Sequence, residues 1–107
     1  MRQIAAPELA AWLAETDRPR PFLLDVREPW EFEYCHIAGS TLMPMASVPL
    51  RLDEVPHGVP VVCICHHGGR SMQVALFLEA RGRDAVFNLQ GGVEAWARLV
   101  DTGMKRY

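Results

Sequence analysis

The stretch that decides the fold is VVCICHHGGRS, residues 61–71. Its first four residues are apolar, which is typical of a central strand that is covered on both faces. A glycine-containing turn follows, and the apolar spacing from Ser71 to Arg81 predicts a helix. The turn amides then meet at the N-terminus of a helix, where a negative charge is favoured. Cys65, at the end of the strand, therefore lies where its thiolate or a bound oxyanion would be stabilised.

The rest of the chain alternates short apolar runs with helical patterns, and Pro and Gly separate them. Strands that alternate with helices indicate an α/β sandwich with a mostly parallel sheet. The spacing predicts helices at residues 7–13, 28–34, 47–54, 71–81 and 93–100, and strands at residues 22–26, 41–43, 61–64 and 85–89.

Composition narrows the possible functions. With 107 residues, of which 50% are hydrophobic, the chain is expected to form a single domain over residues 1–107. A net charge of −2, with acidic and basic residues mixed, argues against a nucleic-acid partner. No apolar run approaches the roughly 20 residues that cross a bilayer, and no signal peptide is apparent. A cytoplasmic protein with no membrane partner is expected, and its three cysteines argue against a disulfide framework.

Three segments resemble the signatures of the rhodanese-like domain family, in the family's order and spacing. They are LDVREPWEF with HIAGS (residues 24–32 and 36–40), CHHGGRS (65–71), and NLQGG with the following Ala95-Trp96 (88–92). The resemblance covers approximately residues 2–100. It implies a three-layer sandwich in which a central, mostly parallel five-stranded sheet is flanked by helices on both faces. The family often has glycine before the His-Ile pair, where this chain has Cys35.

The resemblance also implies roles for individual residues. Cys65 would be the catalytic nucleophile that carries a persulfide, and Asp25 and Arg27 would be scaffold residues near the site. The transferred sulfur is held by the protein itself, so no cofactor is implied. The substrate- or anion-binding loop would consist of His66, His67, Gly68, Gly69, Arg70 and Ser71.

The other chemical groups near the loop allow simpler interpretations. Cys63 lies two residues before Cys65 on the same sheet face and is expected to pack in the core. No metal site is expected, because adjacent Cys and His residues rarely converge on one ion. His66 and His67 are expected at the rim of the loop, where partial positive charge would favour an anionic donor.

The expected function is a sulfurtransferase of the thiosulfate (rhodanese) type. Cys65 would take sulfane sulfur from a thiosulfate-like donor and pass it to cyanide or a thiol. The expected partners are a small sulfur-containing anion or thiol, with a protein donor or acceptor as a further candidate. Two alternatives stay open: a relay that hands persulfide sulfur to a protein partner, and a non-catalytic binding module. A phosphatase is disfavoured, since the spacing Cys65-x₄-Arg70 is one residue shorter than the phosphatase Cys-x₅-Arg.

Overall fold

The computed structural model describes all residues from Met1 to Tyr107. The helices and strands predicted from the sequence are present, with ends that differ by one or two residues. The elements in chain order are β1 (Arg2–Ile4), α1 (Ala6–Ala14), β2 (Phe22–Asp25), α2 (Pro29–Tyr34), β3 (Thr41–Leu42), a 3₁₀ helix (Met45–Glu54), β4 (Val61–Ile64), α3 (Gly69–Ala80), β5 (Val86–Leu89) and α4 (Gly92–Leu99).

The predicted helix before β4 is a 3₁₀ helix and not an α-helix. Pro49 lies inside it, and Arg51 departs from helical backbone angles. Proline has no amide hydrogen and obstructs the preceding turn of an α-helix, so the tighter and irregular form is adopted here.

Five parallel strands form one sheet in the order β1-β5-β4-β2-β3. The predicted five-stranded sheet is confirmed, and it is parallel throughout. Strand β1 is the one element that the sequence pattern does not predict. Its three residues are too few to show a period, and its hydrogen bonds come from the distant β5, where Ile4 lies opposite Leu89.

Two apolar clusters cover the two faces of the sheet. Helices α1 and α4 pack on one face, and α3 and the 3₁₀ helix pack on the other. The residues of β4 and the following Cys65 alternate between the clusters, so that Val62 and Ile64 join the first while Cys63 and Cys65 join the second. Both thiols therefore lie on the α3 side of the central strand. No helix combines the length and apolar character that a bilayer span requires.

Leu78 and Leu76 of α3 test this packing as a matched pair. Leu78 is fully buried, whereas Leu76 is 49% exposed. We expect Leu78→Ala to lower the free energy of unfolding by about 2–5 kcal/mol, because it leaves a core cavity. Leu76→Ala should change it by less than about 0.5 kcal/mol. Urea denaturation followed by circular dichroism measures both, and equal losses would contradict the orientation of α3.

Candidate active site

Cys65 follows β4 directly, and the turn of residues 66–68 leads from it into α3. Its Sγ accepts hydrogen bonds from the backbone amides of Gly68, at 3.1 Å, and Ser71, at 3.4 Å. The Ser71 hydroxyl oxygen lies 3.3 Å from the same sulfur. Amide donors at a helix N-terminus stabilise a thiolate over a thiol. The sulfur lies at the bottom of the turn, and Cys65 is only 1% exposed.

Four further amides of the loop have no acceptor within the protein. They belong to His66, His67, Gly69 and Arg70, none of which donates a backbone hydrogen bond. The sequence suggested that the loop amides form a cradle, and the structure divides them into two groups. Gly68 and Ser71 hold the sulfur, while the other four are free to bind a ligand. Unpaired amides at the start of a helix are a ready anion site.

The loop carbonyls explain the direction of two of these amides, those of His66 and His67. The Cys65 carbonyl accepts from the amide of Val93, at 2.9 Å, and the His66 carbonyl accepts from that of Glu94, at 3.1 Å. Both donors lie in the first turn of α4. In a trans peptide the N–H points away from the C=O, and all peptides here are trans. Because α4 takes the carbonyls, the amides of His66 and His67 point away from α4.

Gly92 is what allows α4 to approach the loop. Its φ is +58°, and a Cβ at this position would overlap the carbonyl oxygens of Cys65 and His66. Only glycine provides both the left-handed backbone and the empty space. Gly92 was noted in the sequence as part of the third signature but was not assigned to the site.

Arg70 faces a carboxylate from another element. Its guanidinium pairs with both Glu31 oxygens, at 2.8 and 2.9 Å. The hydrogen bond from Arg70, opposed by burial and assisted by the Glu28 amide and Tyr107, lowers the pKa of Glu31 to about 2. Arg70 is therefore tied to α2 by Glu31.

Asp25 and Arg27 form a fully buried ion pair at the end of β2. Arg27 binds both Asp25 oxygens and donates to the Cys35 carbonyl at 2.6 Å. The Cys35 thiol lies 3.9 Å from the same guanidinium. The pair is therefore joined by a hydrogen bond to Cys35, the residue that follows α2.

Tyr107 joins these two ion pairs and was not singled out from the sequence. Its hydroxyl accepts from Arg27 at 2.8 Å and donates to Glu31 at 2.7 Å. Its ring stacks on His66 with centroids 3.9 Å apart, and His66 stacks in turn on His67. Burial, and then the neighbouring His67, lower the pKa of His66.

A model of the Rhodanese-like domain matches residues 5–99 of the chain. The chain belongs to the rhodanese-like domain family. A "Sulfurtransferase" from Allochromatium vinosum is 36% identical over 98 residues, which are 92% of this chain and 90% of that protein. A "Thiosulfate sulfurtransferase GlpE" from Tolumonas auensis is 31% identical over 81 residues, or 76% of each protein. A rhodanese-like domain protein from Staphylococcus aureus matches with a TM-score of 0.85 and 31% identity, over 100% of this chain and 99% of that one.

No set of His, Cys, Asp and Glu side chains in this rhodanese-like domain is arranged to hold a metal ion. Cys63, the other thiol on the Cys65 face, is fully buried. Burial, with a smaller contribution from Cys65, raises the pKa of Cys63 to about 12. Of these two thiols, only Cys65 meets the loop amides.

Gly92→Ala and Gly69→Ala test the contact between α4 and the loop. A methyl group at residue 92 would collide with two carbonyl oxygens, whereas one at residue 69 meets nothing within 4 Å. We expect Gly92→Ala to destabilise the fold by about 1–3 kcal/mol, through steric and backbone strain. It should also slow alkylation of Cys65, while Gly69→Ala stays close to wild type in both measurements. Equal tolerance of the two variants would contradict the α4 contact.

Glu31→Gln should lower the free energy of unfolding by an amount that depends on pH. The pKa of Glu31 falls from its ordinary 4.5 to about 2 on folding. Its contribution to stability is thus fully present above pH 4.5 and is lost as the pH falls toward 2. The difference in unfolding free energy between wild type and Glu31→Gln should therefore be largest near neutral pH and shrink in acid.

Chemical denaturation between pH 3 and pH 7 measures this difference. Glu54→Gln is the control, because Glu54 pairs with Arg51 on the exposed surface and such pairs contribute little. A Glu31→Gln difference that stayed constant over this range would show that the carboxylate charge is not what stabilises the site.

Proposed function

We propose that this rhodanese-like domain is a sulfurtransferase that carries sulfane sulfur as a persulfide on Cys65. The donor is of the thiosulfate type, and the acceptor is cyanide or a thiol. The observation that supports this most strongly is the division of the loop amides. Two of them bind the Cys65 sulfur, and four more have no protein acceptor. The names of the two sulfurtransferase relatives point the same way.

The first half-reaction uses the thiolate held by Gly68 and Ser71. It attacks the outer sulfur of thiosulfate, a new S–S bond forms, and the S–S bond of the donor breaks. Sulfite leaves with the electron pair of that bond. The unpaired loop amides would hold the charge of the donor as the bond breaks, in the manner of an oxyanion hole.

The second half-reaction returns the enzyme to its starting state. A nucleophilic acceptor attacks the outer persulfide sulfur, and Cys65 leaves as a thiolate that Gly68 and Ser71 stabilise again. The outer sulfur stands about 2 Å beyond Sγ. This extension matters because Cys65 itself is 1% exposed, so the transferable atom is the one nearer to solvent.

A sulfur relay to a protein partner is the second candidate. Trp30 is 61% exposed and Tyr34 is 44% exposed, and both rings contact Tyr107 at the edge of the site. Exposed aromatic residues are enriched in protein interfaces. In this version the acceptor is a protein thiol, and the persulfide on Cys65 is the same. The non-catalytic alternative would use the free amides only to bind an anion, and it would leave the two amide hydrogen bonds to the Cys65 sulfur without a chemical role.

Intact-protein mass spectrometry after incubation with thiosulfate tests the proposal. We expect wild type to gain the mass of one sulfur atom, to lose it on addition of cyanide, and to release sulfite in equal amount. Cys65→Ala should gain nothing. Cys63→Ala is the matched control from the same face of the sheet and should gain sulfur like wild type. No adduct with thiosulfate or with a low-molecular persulfide would favour the binding module.

A further inference from the structure

Asn88 of β5 reaches the active-site loop from beneath. Asn88 is 1% exposed and lies opposite Cys63 in the sheet. Its side-chain nitrogen donates to the Gly68 carbonyl at 3.1 Å and to Gln3 at 3.0 Å. Its side-chain oxygen lies 2.5 Å from the Ser71 hydroxyl. Asn88 therefore contacts both of the residues that hold the Cys65 sulfur.

The donors and acceptors of this cluster fix its hydrogens. A backbone carbonyl only accepts, so the atom of Asn88 that faces Gly68 must be the nitrogen. The atom that faces Ser71 is then the oxygen, which also only accepts. Two oxygens this close must share a hydrogen, and the only one available is that of the Ser71 hydroxyl. Ser71 thus donates to Asn88 and presents a lone pair to Cys65.

We infer that Asn88 is a positioning residue that keeps the Ser71 proton away from the Cys65 sulfur. In the thiol form, the S–H can donate to the Ser71 oxygen. In the thiolate form, a lone pair faces a negative sulfur, or the hydroxyl turns to the sulfur and leaves the Asn88 oxygen unpaired. Either arrangement opposes the loop amides, so Asn88 limits how much thiolate the amides produce.

The inference rests on the proposed function in one respect, which is that Cys65 is the reactive sulfur. The loop amides stabilise the thiolate, and the Ser71 hydroxyl held by Asn88 limits that stabilisation. An intermediate stability of this kind suits a group that must act both as nucleophile and as leaving group. Amides that bind the thiolate make it a good leaving group in the second half-reaction. Withholding one donor keeps it from becoming too weak a nucleophile in the first, because nucleophilicity falls as the thiolate is stabilised.

The other charged and titratable groups around Cys65 cannot account for a difference in its ionisation between wild type and the variants. Cys63 lies deeper on β4, and His66 and His67 continue the loop. Arg70 of α3 is paired with Glu31 of α2. At the end of the neighbouring strand β2, the other ion pair is Asp25 with Arg27. All of these groups are the same in wild type and in the variants below.

The pH at which half of Cys65 is thiolate measures the effect directly. Ultraviolet absorbance of the thiolate and the rate of alkylation both report it, with Cys65→Ala as the blank. We expect Ser71→Ala to leave this midpoint unchanged or to lower it. If Ser71 donated to the thiolate in wild type, losing that hydrogen bond would raise the midpoint by about one pH unit or more. A rise of that size would overturn the inference.

Asn88→Leu should shift the pH midpoint of Cys65 ionisation in the direction opposite to the shift that a structural defect would cause. It frees the Ser71 hydroxyl to donate to sulfur, so the midpoint should fall by about one pH unit or more. Mere loosening of the loop would weaken the Gly68 hydrogen bond and raise it. Adding Ser71→Ala to Asn88→Leu should abolish the fall. Gln3→Leu removes the hydrogen bond between Asn88 and Gln3, which lies outside the loop, and should leave the midpoint unchanged.

These outcomes decide the inference separately from the proposed function. The titration contains no sulfur donor, so its result stands whether or not thiosulfate loads Cys65. A folded Asn88→Leu variant with an unchanged or raised midpoint would overturn the inference. If Asn88→Leu does not fold, Ser71→Ala tests the inference alone. A midpoint that rises by about one pH unit or more in that variant overturns the inference, and one that stays or falls supports it.

Discussion

The contact between the N-terminus of α4 and the loop after β4 is the interaction on which the site depends. Two amides of α4 bind the carbonyls of Cys65 and His66. Because a trans peptide sets its N–H against its C=O, binding the carbonyls on one side turns the amides to the other. Gly68 repeats the arrangement, since its carbonyl accepts from Met72 and Asn88. The direction of the free amides is thus a consequence of which groups the loop carbonyls bind.

Backbone amides, and not a cation, hold the Cys65 sulfur. Arg70, the cation of the loop, makes two hydrogen bonds to Glu31 instead. The Tyr107 hydroxyl links this pair to the buried pair of Asp25 and Arg27. Negative and positive side chains therefore alternate through the two linked ion pairs. An amide cradle keeps its orientation as charge appears and disappears on the sulfur. Such fixed dipoles suit the proposed reaction, in which the sulfur changes between thiolate and persulfide.

The parts of the fold that could be predicted are those set by local sequence. The apolar run of β4 and the glycines after it placed Cys65 at a strand end before a helix. The parts that could not be predicted depend on contacts between distant residues. Strand β1 forms because Ile4 meets Leu89, and nothing in its own three residues requires a strand. Tyr107 contacts Arg27 across a separation of 80 residues, and the segment after α4 contains no sequence motif that predicts this contact.

The same limit applies inside the loop. The residues of the cradle could be named from the sequence, but not which amides bind the sulfur and which stay free. For His66 and His67 the direction of the amide follows from α4, which lies more than 20 residues further along the chain. The hydroxyl of Ser71 is a sharper case, since its direction is decided by Asn88 on another strand. A motif thus specifies which groups are present, whereas the packed neighbours determine where each hydrogen points.

Cys63 and Cys65 show how position alone separates two identical side chains. Both lie on the same face of β4 and both are almost fully buried. Cys63 is surrounded by strands whose amides are already paired in the sheet, so its charged form has no donor, and burial raises its pKa to about 12. Cys65 lies where the strand has ended and the amides have lost their sheet partners. The two thiols therefore differ in their backbone donors and not in their exposure to solvent, since only the Cys65 sulfur accepts hydrogen bonds from amides.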